Sequence, residues 1–273
     1  VNRDRHSTSP AGARAATTQE LRDAYLIDDL FASGEVRTLH TAEDRMLVAG
    51  IVPTGDVELG LGEIPALGEG GLARREFGIV NLGEAGEVLV DGAVHRLEHR
   101  DGLYAGRGAA LAFRGDGARF SLVSAVAEVA HPTVRIPFAD SEPVELGSED
   151  GAGRRALHRY VWGGGPVASS VLQFGVTVIH PGSVWNTYPP HLHERRTEIY
   201  LYFDLADDAR VVHLMGEPAH TRHLVVRNEE GVIAPRWSIH TGVGTGAYAF
   251  VWAMAGDNRD YGDLAPVPVE DLR

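Results

Sequence analysis

The segment Pro189-Pro190-His191-Leu192-His193-Glu194-Arg195-Arg196-Thr197-Glu198 carries the most specific pattern in the chain, and fold and chemistry are both read outward from it. In an extended backbone, side chains two residues apart project to the same face. His191 and His193 therefore point together, as two nitrogen ligands of one ion must. Glu198 lies an odd number of residues beyond His193, so an unbroken strand would turn it away. The expectation is a turn or bulge through Glu194 to Thr197, with Glu198 on the next strand and facing back. A third histidine, His240, ends Pro235-Arg236-Trp237-Ser238-Ile239-His240 and precedes the turn-rich Thr241-Gly242-Val243-Gly244-Thr245-Gly246. Three imidazoles and a carboxylate suit a divalent transition ion such as zinc, iron, manganese or nickel. A His-x-His pair alone also arises by chance in surface strands. The preceding Pro-Pro, the following glutamate and the later histidine before a glycine turn favour the ligand reading.

Around this segment the chain reads as short β-prone runs: Met46–Pro53, Phe77–Leu82, Glu87–Val90, Arg119–Val126, Val171–Ile179, Glu198–Phe203, Arg210–Leu214, His223–Arg227 and Ala247–Met254. Glycine (33) and proline (14) punctuate them throughout, which predicts an all-β sandwich or barrel. Val88-Leu89-Val90, Asp91-Gly92 and Ala93 to Leu97 read as a hairpin on a type I′ turn. One helix is expected, from Gln19 to Phe31, capped by Thr17 or Thr18 and ended by Ser33-Gly34. Polar and turn-forming residues crowd between Asp140 and Gly153, which suggests a boundary. The expected division is a helical segment at 1–36, a barrel without metal at 37–145, and a metal-binding barrel at 146–273. His95 and His99 in the first half lack metal-ligand spacing and read as surface or strand-end residues. His180, His213 and His220 read as structural or surface residues.

Composition removes several chemistries. Hydrophobic residues at 44% and charged residues at 23% describe a globular chain rather than a disordered one. The apolar runs, the longest of which is Tyr248 to Ala255, are far shorter than the ~20 residues of a membrane span. No secretory signal is visible in the polar N-terminus, so a cytoplasmic location is expected. A net charge of −13 argues against a nucleic-acid partner. Cysteine is absent, which excludes disulfides, thiol nucleophiles and cysteine-ligated metal. Lysine is absent too, which excludes a Schiff base on a carbonyl substrate. Carbonyl chemistry then needs a metal or an acid/base pair.

The ligand pattern His191-x-His193-x(4)-Glu198 with the distant His240 resembles the metal motif of the cupin superfamily. The narrower wording Trp185-Asn186-Thr187, His191-Leu192-His193-Glu194-Arg195-Arg196, Trp237-Ser238-Ile239-His240 and Gly242-Val243-Gly244-Thr245 is similar to the 5-keto-4-deoxyuronate isomerases. The likeness runs from the early helix through His99-Arg100-Asp101-Gly102-Leu103-Tyr104 to Asp271-Leu272-Arg273. Pro190 before the first histidine and the lack of lysine depart from the family's pattern. The resemblance implies an all-β double cupin with a short N-terminal helix and zinc at His191, His193, Glu198 and His240. It also implies a cytoplasmic homohexamer that converts 5-dehydro-4-deoxy-D-glucuronate to 3-deoxy-D-glycero-2,5-hexodiulosonate in pectin and uronate breakdown.

Such an aldose–ketose isomerisation proceeds through a cis-enediol or by hydride shift, and the sequence leaves both open. Strand alternation from Glu198 sets Tyr200 and Tyr202 on the same face as the ligands, as candidate acids. Glu194 and His223 are alternatives, and buried tyrosines also often serve only to pack. A uronate carboxylate calls for an arginine fork, with Arg195-Arg196, Arg222 and Arg236 as candidates. Three competing readings are the related 5-deoxyglucuronate isomerase, an iron cupin dioxygenase and a non-catalytic sugar-binding cupin.

Overall fold

A computed structural model describes every residue except Val1, Ser7, Asp56, Asn258 and Arg259. Among the described residues the chain is mostly β-strand, arranged in four sheets, and it divides into two units. No helix among the described residues is long and apolar enough to cross a membrane.

The first unit comprises residues 1–5, 29–142 and 159–175. Its seven-stranded sheet runs in the order Asn2–Arg5, Val36–Thr41, Leu47–Ile51, Phe120–Val126, Arg75–Asn81, Gly102–Ala105 and Val134–Ile136. Its four-stranded sheet runs Leu59–Gly60, Leu111–Arg114, Gly86–Val90 and Ala93–Leu97. The expected hairpin is present: Asp91 and Gly92 both have positive φ (50° and 84°), as a type I′ turn requires. A hydrophobic cluster in this unit includes Leu47, Phe77, Ile79, Leu103, Phe113, Phe120 and Leu122. The buried carboxylate of Glu76 accepts hydrogen bonds from Tyr104 Oη and from the backbone N–H groups of Ser170, Val171 and Leu172, at 2.6–2.7 Å. That cradle ties segment 159–175, assigned by the sequence reading to the second half, into the first unit.

The second unit comprises residues 6–28, 143–158 and 176–273. Most of a seven-stranded sheet belongs to it, in the order Val144–Leu146, Arg155–Val161, Gln173–Ile179, Ala249–Gly256, Arg196–Phe203, Gly231–Ala234 and Leu26–Ile27, with residues 159–161 and 173–175 of two of these strands falling in the first unit. A five-stranded sheet runs His220–Val226, Val211–Glu217, His240–Gly244, Trp185–Leu192 and Ala265–Pro266. The early helix is shorter than expected. It begins behind a full Thr17/Glu20 capping box and ends at Tyr25 rather than Phe31. Leu26 and Ile27 leave it because they pair, fully buried, with Val232 and Gly231, and that sheet edge overrides the helical spacing. A further short helix, Pro10–Ala15, capped by Ser9, was not anticipated.

Candidate metal centre

Strand Trp185–Leu192 delivers His191, and its antiparallel partner His240–Gly244 places His240 directly opposite. His193, Glu194 and Arg195 then break the strand, and the chain passes into Arg196–Phe203 in the seven-stranded sheet. The expected turn is there, and it lets Glu198 approach the histidines from the other sheet. Glu198 Oε2 lies 3.0 Å from His193 Nε2 and 2.9 Å from His240 Nε2, and His240 Nε2 lies 3.0 Å from His191 Nε2. The four side chains offer one ligand atom each, all within 4.8 Å of one another. His193, Glu198 and His240 are buried, whereas His191 is partly exposed.

Surrounding groups fix the rings. His193 Nδ1 donates to the carbonyl of Asp263, which leaves Nε2 as the free lone pair facing the cluster. Arg196, only 1% exposed, holds the same loop by donating to the carbonyls of Asp263 (3.2 Å) and Tyr261 (3.5 Å). Burial, and then the neighbouring His240, pull the pKa of His191 well below its usual value, so that its imidazole stays neutral. Burial alone would raise Glu198, but His240 and His193 outweigh it and hold the carboxyl well below the usual carboxylate range.

Tyr200 and Tyr202 are both buried on the cluster side of their strand. The Tyr200 ring lies 5.6 Å from that of His240, and its hydroxyl is 3.1 Å from Thr187 Oγ1. Burial pushes both phenols well above the usual tyrosine value, with Glu198 adding to the effect on Tyr200 and Tyr248 to that on Tyr202.

The remaining candidates from sequence do not join the cluster. Glu194 is exposed in the turn, and Arg195 beside it pairs with Asp257 at 2.8 Å. His223 is exposed on the sheet's edge strand, which Val211–Glu217 separates from His240. Arg222 donates to the carbonyls of Ala13, Arg14 and Ala16, so it clamps the N-terminal segment. Arg236 is exposed.

Four residues to which the sequence reading gave no functional role, His213 among them as a structural or surface residue, do line this interior. Asn186 and His213 are fully buried, and Tyr248 nearly so. Arg155 Nη1 donates to the Gly153 carbonyl at 2.9 Å. Its guanidinium is desolvated enough to lower its pKa, and it lies within electrostatic reach of the Tyr200 and Tyr248 hydroxyls. Alternation along Arg155–Val161 could not have singled it out, because the buried residues Ala156, His158 and Tyr160 have the opposite parity and Arg155 itself is only half-buried.

A family model described as the KduI/IolB family matches residues 26–264. The 4-deoxy-L-threo-5-hexosulose-uronate ketol-isomerase of Kineococcus radiotolerans is 50% identical over 98% of this chain and 99% of its own length. The protein of the same description from Halalkalibacterium halodurans is 42% identical over 99% of each chain. Among solved structures, an IolB-like protein from Salmonella typhimurium aligns with a TM-score of 0.66 at 12% identity, over 81% of this chain and 86% of its own. A Bacillus subtilis oxalate decarboxylase variant aligns at 0.60 and 11% identity, over 88% and 77%. These two likenesses bear on the fold alone, and they agree with a cupin-type β architecture. With a matching model across most of its length and curated relatives at up to 50% identity, the chain belongs to the KduI/IolB family.

Proposed function

We propose that this chain is a ketol-isomerase that converts 5-dehydro-4-deoxy-D-glucuronate to 3-deoxy-D-glycero-2,5-hexodiulosonate, with a divalent ion held by His191, His193, Glu198 and His240. The observation that carries the proposal is the convergence of those four ligand atoms in a chain half identical, end to end, to a uronate ketol-isomerase.

The residues fit a metal. Nitrogen and oxygen ligands sit about 2.0–2.1 Å from zinc, so neighbouring ligand atoms are about 2.9 Å apart at a right angle and about 3.4 Å at the tetrahedral angle. The observed separations of 2.9–3.0 Å suit such a centre. Zinc is the ion the family resemblance favours. When bound, the ion supplies Lewis acidity that polarises the substrate carbonyl and steadies negative charge at its oxygen.

The protein's own groups do the rest. Tyr200 keeps its proton at neutral pH and sits beside His240, so its hydroxyl serves as the acid that moves a proton at the substrate oxygen. Tyr202, also protonated, lies one alternation further along the strand. Arg155 lies within electrostatic reach of the Tyr200 and Tyr248 hydroxyls and is the arginine we assign to the substrate carboxylate. The partly exposed His191 marks the side from which substrate reaches the otherwise buried ligands. A double-barrel cupin arrangement, a homohexamer and a cytoplasmic address complete the reading on the strength of the family resemblance. Light scattering on the purified protein tests the hexamer.

The decisive test couples metal content of the purified chain to turnover of the deoxyuronate before chelation, after it, and after zinc is returned. Activity that leaves with the ion and returns with zinc is the expected result. A metal-loaded chain that leaves this substrate unchanged overturns the isomerase assignment.

A further inference from the structure

His213 is fully buried on strand Val211–Glu217, and it faces Gly242 across the pairing with His240–Gly244. Residues 240 and 242 share a face of their strand, so His213 stands on the same side of the sheet as His240. Its ring lies 5.4 Å from that of Tyr200, which in turn lies 5.6 Å from that of His240. Gly242 opens the space between them. A Cβ there would come within 2.7 Å of Asn186 Nδ2 and 2.9 Å of the Tyr202 hydroxyl, so only glycine admits both groups beside the imidazole.

The hydrogen bonds fix the state of that imidazole. Tyr248 Oη donates to the carbonyl of Val184 at 2.9 Å and accepts from Asn186 Nδ2 at 2.9 Å. Asn186 Nδ2 also reaches the Tyr202 hydroxyl oxygen at 3.5 Å. The single Tyr202 hydroxyl proton is then directed to His213 Nδ1, 2.7 Å away. An imidazole that accepts at Nδ1 while neutral must carry its proton on Nε2. Burial, and then His240, hold this histidine down at about 3, so it is neutral. Nε2 has no partner among the described residues, and neither does Asn186 Oδ1. An orphaned buried donor costs about 1–3 kcal/mol, so a satisfying partner is expected in the working state.

We propose that His213 donates a hydrogen bond from Nε2 to an oxygen of the bound substrate, and that Tyr202 is the positioning residue that fixes the tautomer needed for it. A neutral imidazole held in one tautomer is a suitable electrophile towards a carbonyl or a hydroxyl on the reacting carbons. The proposal rests on the deoxyuronate reading of the same site and adds to it a substrate contact opposite the metal ligands.

The test uses the zinc-loaded full chain with His213→Leu, His213→Gln and Tyr202→Phe, and checks metal content for each. Leucine fills the volume without a donor, whereas glutamine restores an amide N–H at similar reach. Removing one such donor is expected to lower kcat about 100-fold in His213→Leu with the ion retained, and glutamine should recover about ten-fold of this. In histidine-labelled protein, the 15N signature of His213 should report Nε2–H in the parent and a mixture of tautomers in Tyr202→Phe, which a purely packing role would not produce. A metal-loaded His213→Leu with kcat within three-fold of the parent overturns the proposal, and so does a parent spectrum showing Nδ1–H. If His213→Leu does not fold, a folded, metal-loaded His213→Gln no better than one-thousandth of the parent overturns it as well. If the parent itself does not turn the uronate over, the isomerase reading falls separately, and calorimetric binding of the same uronate decides for His213. Binding at least ten-fold tighter in the parent than in His213→Leu supports the contact, and equal or absent binding overturns it.

Discussion

Replacing Glu198 by glutamine keeps the volume and one acceptor oxygen but removes the only negative charge among the three imidazoles. That carboxylate is 5% exposed and lies 2.9 and 3.0 Å from two of the three histidine nitrogens, so the charge cannot be replaced by solvent. Four-ligand zinc sites bind with about 10–16 kcal/mol, roughly 3 kcal/mol per ligand, so losing the anionic ligand should weaken zinc by about 150-fold. With free zinc buffered at about 1,000 times the parent Kd, the ion stabilises the parent by about 4.1 kcal/mol and the variant by only about 1.2 kcal/mol. At about 2–4 °C per kcal/mol, the zinc-dependent rise in Tm should shrink by roughly 6–12 °C. The assay is calorimetric melting of each protein with and without buffered zinc. Comparing the two rises removes any change that the substitution makes to the metal-free fold. A variant whose zinc-dependent rise equals the parent's, or a parent with no rise at all, would refute the placement of the ion.

Arg155→Leu should raise KM for the deoxyuronate by about 10–100-fold with a smaller effect on kcat, because a lost carboxylate clamp weakens ground and transition states alike; an unchanged KM in steady-state kinetics returns the carboxylate to another group. Glu76→Gln leaves at least one of the N–H groups of Ser170, Val171 and Leu172 facing an amide NH2, so the first unit should lose about 3 kcal/mol in urea unfolding; a loss below 0.5 kcal/mol would show that the cradle does not hold segment 159–175. His213 has a folded pKa of about 3 against a reference of 6.5, so the unfolded chain binds more protons between those values and stability falls as pH drops below 6.5. From pH 7 to 5 that contribution is about 2 kcal/mol, and the parent's urea midpoint should fall further than that of His213→Gln; parallel falls would mean that His213 titrates near its free value.

The features legible in the sequence are those set within a few residues. His191 and His193 share a face because a strand alternates, the Asp91-Gly92 turn follows from two residues that tolerate positive φ, and the Thr17 cap is a local contact. The break between His193 and Glu198 was legible for the same reason, as a parity argument. What could not be read depends on pairing across long separations. Leu26 and Ile27 continue a helical pattern until a strand some 200 residues later claims them. Arg222 and Arg196 carry the charge a uronate would need, yet each is engaged by backbone carbonyls, of Ala13, Arg14 and Ala16 in one case and of Tyr261 and Asp263 in the other. His213 looked like one more histidine in a β-run, and only its register opposite Gly242 brings it beside His240.

The two units show how one kind of interior can either close or stay open to chemistry. Between the sheets of the first unit, Phe77, Phe113, Phe120 and their aliphatic neighbours fill the space with groups that need no partner. That core gains from every buried methylene and offers a ligand nothing to bind. The corresponding face of the second unit carries Asn186, Tyr200, Tyr202, His213, His240 and Glu198, all at most 5% exposed. Burying such groups is unfavourable unless each is hydrogen-bonded, and the tyrosine–asparagine–histidine network satisfies most of them. Among the atoms left over are His213 Nε2 and Asn186 Oδ1, a donor and an acceptor on the side of the sheet that carries the metal ligands. A core selected only for stability would have replaced them with carbon. Their presence beside three converging imidazoles is what binding of a polyhydroxylated acid requires, and it ties the cost of this polar interior to the substrate.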